Sequence, residues 1–219
     1  QRLWFLNQMA PDSAFYNVPV AVHLRGELNV DILRRSVNEI VRRHEILRTR
    51  FPAVGGQPVQ VIDPDFELAL PMEDLPLDSQ VDFPAAIRRK AIEITAEPFD
   101  LTHGPPLRGV ILRSGEDEHV LLLGMYHIVF DGWSMGVFCR ELATLYAAFV
   151  EKKPAPLAEL PIQYVDFAAW QRQWASQEAL ESQLAYWKQA LEGAPSLLAL
   201  PTDYARPATQ TFEGDTQSL

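Results

Sequence analysis

Two side chains stand out for the chemistry they could do. His127 and Asp131 lie four residues apart in the stretch MYHIVFDGWS, and Gly132 follows directly. Imidazole exchanges protons near neutral pH, so His127 suits an acid–base role or a hydrogen bond to a reacting nitrogen. Asp131 follows an apolar run, where a carboxylate needs a partner to stay ionised. The expected cation is Arg43 or Arg48, in the arginine-rich stretch RHEILRTRF. A guanidinium can grip a carboxylate through two parallel hydrogen bonds. Gly132 lets the backbone turn close to a neighbour. A structural reading of His127 stands beside the chemical one, since a single histidine at a strand end is often a satisfied structural residue.

The elements around these residues follow from the hydrophobic pattern. Gln1 to Met9 reads as a short helix stopped by Pro11, and Tyr16 to Leu24 alternates as a half-buried strand does. Asn29 or Asp31 can cap a helix in which Ile32, Leu33, Val37, Ile40 and Val41 recur at helical spacing. Leu47 to Phe51 and Pro58 to Ile62 flank Gly55-Gly56 as a hairpin. Pro71 to Asp82 reads as loop and Phe83 to Glu97 as a second amphipathic helix. Leu107 to Arg113 and His119 to Met125 form the clearest hairpin. Its second strand is apolar almost throughout, as a central strand covered on both faces would be. A helix from Ser134 to Lys152 follows, with Ser134 as its expected N-cap, and Tyr164 to Trp174 and Glu178 to Leu191 read as two more. Strands mixed with helices predict an α/β layered sandwich.

Composition narrows the function classes. The 219 residues carry 19 Lys and Arg against 29 Asp and Glu, a net charge of −10, which argues against a nucleic-acid partner. No apolar run approaches the roughly 18 residues a membrane span needs, and the N-terminus lacks the regions of a signal peptide, so a cytoplasmic location is expected. The lone Cys139 lies in a helical apolar stripe and reads as core; it excludes an intrachain disulfide framework. His23, His44, His103, His119 and His127 show no metal-ligand spacing, and neither a G-x-S-x-G nor a G-x-x-x-x-G-K-[ST] motif is present. Trp170, Trp174, Tyr186 and Trp187 sit at helical spacing and are expected in the core. The chain opens inside a helix-like segment and closes on the polar stretch FEGDTQSL, which suggests a piece of a longer polypeptide.

Several segments, in order, resemble one family. RHEILRTRF resembles the R-H-E-x-L-R-T-x-F motif of nonribosomal peptide synthetase condensation domains, and MYHIVFDGWS resembles their H-H-x-x-x-D-G core. QRLWFLNQMAPDSAFYNVP is similar to the family's opening motif, YVDFAAWQ to its Y-x-D-F-A-x-W motif, and LPTDYARP to the segment that crosses to the second lobe. The resemblance implies one lobe of a chloramphenicol-acetyltransferase-like fold, a layered sandwich of a mixed sheet and helices. Residues 1–195 would be the N-terminal lobe, and 196–219 the start of the crossover toward a C-terminal lobe. The wording is closest to the subtype joining an L-donor to an L-acceptor.

By resemblance the reaction is amide bond formation in secondary-metabolite or antibiotic biosynthesis. Donor and acceptor thioesters ride on the 4'-phosphopantetheine arms of peptidyl carrier proteins, with an adenylation domain adjacent, and no cofactor is bound directly. His127 matches the active-site histidine, acting on the amine either as base or as hydrogen-bond acceptor. Asp131, Gly132, Arg48 and Arg43 match structural positions of the site. The family's first histidine is here Tyr126, expected to face the lobe's interior, opposite His127. One lobe alone is expected to be inactive. Other readings are a degenerate docking platform for carrier or tailoring proteins, suggested by Tyr126, and a lobe of an epimerisation domain.

Overall fold

The computed structural model describes residues 2–75, 83–174, 177–197, 199–205 and 207–208. The chain divides into two compact units, Gln1–Phe167 and Ala168–Leu219. The segment expected to cross to a second lobe falls largely outside the described residues, as does the end of the loop expected to run to Asp82.

In the first unit, α1 (Arg2–Met9) leads to β1 (Asn17–Arg25) and α2 (Val30–Arg43). Asn29 caps α2, its side-chain oxygen accepting the Ile32 amide at 3.1 Å. A 3₁₀ turn over Glu45–Arg48 hands the chain to a small pair of ladders. Here β2 (Thr49–Arg50) pairs with β5 (Val61–Ile62), and β3 (Ala53–Val54) with β4 (Gln57–Pro58). Gly55 and Gly56 form the tip at φ 59° and 77°, the double left-handed conformation that tight hairpin turns require. Next come β6 (Met72–Asp74), α3 (Phe83–Ala96), β7 (Leu107–Arg113), β8 (Glu118–Tyr126) and α4 (Gly132–Val150).

The main sheet runs β1-β8-β7-β6. Its first two pairings are antiparallel, and β6 lies parallel to β7, so the sheet is mixed. The continuous apolar run of the sequence is β8, in the interior of the sheet and buried from His119 to Tyr126. Its alternate side chains serve two layers. Leu121, Leu123 and Met125 join a core with Val37 and Ile40 of α2 and Phe138, Leu142 and Leu145 of α4. Val120 and Leu122 face the other way, onto Ile87, Ala91 and Ile94 of α3. Helices cover both faces of the strand that leads into the HIVFDG loop, which is why it is apolar at successive positions.

The helix α5 (Tyr164–Trp174) begins at the end of the first unit, and α6 (Gln177–Ala190) lies in the second. The aromatic residues expected in the core are exposed instead. Trp170 and Trp174 stack on each other at 5.8 Å, and Tyr186 and Trp187 meet edge-on at 5.4 Å. Helical spacing gathers apolar residues on a face but says nothing of what covers that face. Among the described residues, no helix is long and apolar enough to cross a membrane.

Helix α3 presses onto the sheet at Gly124 of β8. A Cβ there would lie 3.1 Å from the Ile94 carbonyl oxygen and 3.4 Å from Arg108 Cγ. Gly124→Val should therefore push α3 off the sheet and cost about 1–3 kcal/mol, read as a lower thermal midpoint. An unchanged midpoint would show that this helix–sheet contact is soft.

Candidate active site

Strand β8 ends at Tyr126, and the next residues turn sharply. The Val129 amide donates to the Tyr126 carbonyl at 3.0 Å, and the His127 amide donates to the Tyr16 carbonyl at 2.8 Å. The histidine's backbone is thus pinned to the residue preceding β1 while its side chain is exposed. Tyr126 is buried in the lobe's interior, as expected, and is only 1% exposed. Its ring packs near Tyr16 and edge-on to Phe99, and its hydroxyl donates to the Leu3 carbonyl at 3.4 Å. Burial pushes the phenol's pKa up, so it remains a neutral hydrogen-bond donor.

Asp131 does not pair with either arginine, contrary to the expectation from sequence. It is the N-cap of α4: its Oδ1 accepts the Ser134 amide at 2.9 Å and the Ser134 hydroxyl at 2.6 Å. In return the Asp131 amide donates to Ser134 Oγ at 3.4 Å, which closes a capping box. The helix accordingly starts at Gly132, with Ser134 in its first turn rather than at its cap. The expectation of an arginine partner supposed Asp131 to share the burial of the apolar strand. The carboxylate is exposed and meets its need for donors at the helix terminus. The Ser134 hydroxyl and amide, with a smaller contribution from nearby His127, hold its pKa below the usual carboxylate range.

The two arginines work elsewhere. Arg43, 4% exposed, lies with Nε 3.5 Å from Glu141 Oε2 and donates from Nη1 to the carbonyls of Leu157 (3.3 Å) and Ala158 (2.9 Å). Arg48 donates from Nη1 to the Asp63 carbonyl at 3.0 Å and from Nη2 to the Arg42 carbonyl at 3.3 Å. One arginine ties down the segment before α5 and the other braces the 3₁₀ turn. Gln163 reinforces the first tie. Its Nε2 donates to the Arg43 carbonyl at 2.8 Å, and its Oε1 accepts the Glu45 amide at 3.2 Å.

A cavity of about 450 Å³ opens where these pieces meet. His127, Asp131 and Ser134 line it together with His44, Gln163 and Trp133, and Ile40, Leu47, Val129 and Phe138 supply much of the apolar wall. Trp133, 86% exposed, stands beside the Asp131 cap. The structure therefore brings His127, Asp131 and the loop of Gly132 to one cavity. Arg43, Arg48 and Tyr126 are absent from its lining.

Sequence reasoning missed His44, Glu141, Gln163 and Trp133. Glu141 carried a signal: with Phe138, Leu142 and Leu145 it falls on the apolar stripe of α4, and a charge on such a stripe implies a buried partner. The partners are Arg43 and His44, whose Nε2 is 2.9 Å from Glu141 Oε2.

Comparison with known proteins identifies the family. The condensation domain model matches residues 1–219, so the chain belongs to the condensation domain family. A linear gramicidin synthase of Brevibacillus parabrevis is 50% identical over 99% of the chain, and the phosphinothricin tripeptide synthetase PhsC of Streptomyces viridochromogenes is 41% identical over 97%. The chain spans 3% of the first relative's length and 20% of the second's. Among solved structures, the first condensation domain of the CDA synthetase superposes with a TM-score of 0.81 at 24% identity, over 92% of this chain and 51% of that one. The X-domain from teicoplanin biosynthesis gives 0.78 at 30% identity, over 94% and 45%. The fold is thus one lobe of the chloramphenicol-acetyltransferase-like architecture, as the resemblance implied.

Two substitutions test the local geometry. Asparagine caps helices about as well as aspartate, so Asp131→Asn should leave the thermal midpoint nearly unchanged at neutral pH, whereas Asp131→Ala should cost about 0.5–2 kcal/mol. Because folding lowers the Asp131 pKa, the charged form's contribution is complete above the ordinary carboxylate range. That contribution is lost as pH falls through the lowered value, a loss Asp131→Asn should not show. Tyr126→Phe removes one long hydrogen bond and should cost about 0.5–1.5 kcal/mol in denaturant unfolding. A larger loss would mean that the hydroxyl holds α1 in place.

Proposed function

We propose that the chain is the N-terminal lobe of a condensation domain, with residues 1–195 as the lobe and 196–219 as the start of the crossover. The domain joins carrier-bound aminoacyl or peptidyl thioesters through an amide bond. The observation that carries the reading is His127: an exposed imidazole on a pinned backbone, in a largely apolar cavity, within the family's core motif. Donor and acceptor arrive on the phosphopantetheine arms of carrier proteins, and the lobe binds no cofactor of its own. A cytoplasmic setting goes with this reading.

A thioester carbonyl is already activated and a neutral amine is a competent nucleophile, so the main task is to bring them together. In its neutral form the imidazole of His127 accepts a hydrogen bond from the acceptor amine and so directs the amine's lone pair at the carbonyl carbon. As the C–N bond forms, the amine proton passes to the imidazole. Collapse of the tetrahedral intermediate breaks the C–S bond, and the departing thiolate takes the proton back. Asp131 and Gly132 act through the backbone: the cap fixes where α4 begins, and hence the loop that carries His127. Arg43, Arg48 and Tyr126 are positioning residues behind that loop.

The test uses the full-length protein that carries this chain, with loaded donor and acceptor carriers. His127→Ala should lower single-turnover condensation by about 10²–10⁴. Carrier affinity and thermal midpoint should stay the same. Near wild-type product formation would make His127 structural, and the catalytic reading would fail.

A further inference from the structure

The cavity contains a second histidine that the proposed chemistry leaves unused. His44 follows the last turn of α2 and lines the same cavity as His127. Its Nε2 is 2.9 Å from Glu141 Oε2. A carboxylate can only accept, so Nε2 carries the hydrogen. Glu141, 9% exposed, also faces Arg43, a permanent cation that balances its charge. With its hydrogen on Nε2, the neutral tautomer of this ring carries its lone pair on Nδ1. Among the described residues that Nδ1 has no hydrogen-bond partner, and it is not one of the buried atoms that lack one, so it stays accessible. Two other polar side chains of the lining are engaged: Asp131 with Ser134, and Gln163 with the Arg43 carbonyl and the Glu45 amide.

We infer that His44 is a substrate-binding residue: its Nδ1 accepts a hydrogen bond from an N–H on the acyl group of an apolar aminoacyl thioester seated in the cavity. The inference rests on the proposed function for its substrate class. The apolar wall, with Ile40, Leu47, Val129 and Phe138, suits an aliphatic side chain, and a single fixed acceptor at its edge selects for a nitrogen-bearing α carbon. Glu141 and Arg43 act through His44 by fixing its tautomer and ring direction, as a second layer of hydrogen bonds does for a metal-bound histidine.

Two probes differing only at the α carbon test this on the full-length protein: the N-acetylcysteamine thioesters of leucine and of 4-methylpentanoic acid, with binding measured by calorimetry. Leucyl thioester should bind about tenfold more tightly, the worth of one hydrogen bond to a fixed acceptor. His44→Asn places an amide oxygen near the Nδ1 position and should keep the preference. His44→Gln places its amide near the Nε2 position, keeping the contact with Glu141 but losing the acceptor, and should abolish the preference. A purely structural His44 predicts the reverse ranking, with glutamine the benign change. Equal binding of the two thioesters by the wild-type protein overturns the inference without either variant. So does loss of the preference in His127→Ala, which would assign the N–H to the other histidine. A His44-dependent preference without condensation would sink the proposed function alone, and condensation indifferent to His44 would sink this inference alone.

Discussion

The walls of the cavity depend on one buried carboxylate. Glu141 projects from α4 into the interface with α2 and meets Arg43 and His44 there. The apolar stripes of the two helices would pack with some latitude along their length, but an ionic contact at the end of α2 fixes one register. Removing two charges from water is costly for each ion, so the net stability gained from such a pair is small. Its contribution is an arrangement. The guanidinium that meets Glu141 also gathers the Leu157 and Ala158 carbonyls, so the segment leading into α5 is drawn onto the same point.

Two carboxylates near the site live in different surroundings, and of the two only Asp131 lines the cavity. Asp131 is exposed and held ionised by the donors of a helix terminus, and Glu141 is buried between an arginine and a histidine. Asp131, with its pKa lowered, is poorly suited to take a proton from a substrate at neutral pH. That task falls to imidazole, the side chain whose ordinary range makes the exchange easy.

Much of this was legible in the sequence because it was written in period and punctuation. The two-faced apolar run marked β8 as an interior strand, Asn29 of the two expected candidates caps α2, and Gly55-Gly56 turned the small hairpin. Tyr126 is buried and His127 exposed, as expected, although His127 lies just past the end of β8 and Tyr126 joins the same core as Met125. What failed was pairing over distance. Asp131 and two arginines share a neighbourhood in the motif pattern, but which acid meets which base depends on burial, and one-dimensional spacing does not encode burial. Glu141 lies about a hundred residues from Arg43, and its position on an apolar stripe announced that it had a partner without naming one. The aromatic residues of α5 and α6 erred the other way, since their spacing implied a cover that those helices do not supply.

The pairing of β1 with β8 has a consequence for the order of folding. The β7–β8 hairpin closes over the four residues Ser114–Asp117, a loop cheap in entropy and quick to form. By contrast, Asn17 meets Tyr126 across roughly a hundred residues of intervening chain, so this closure comes later and at greater entropic cost. The Tyr16 carbonyl that holds the His127 amide arrives with that late strand. Until that strand pairs, the turn that carries His127 lacks this anchor. The contact that fixes the His127 backbone is therefore a long-range one.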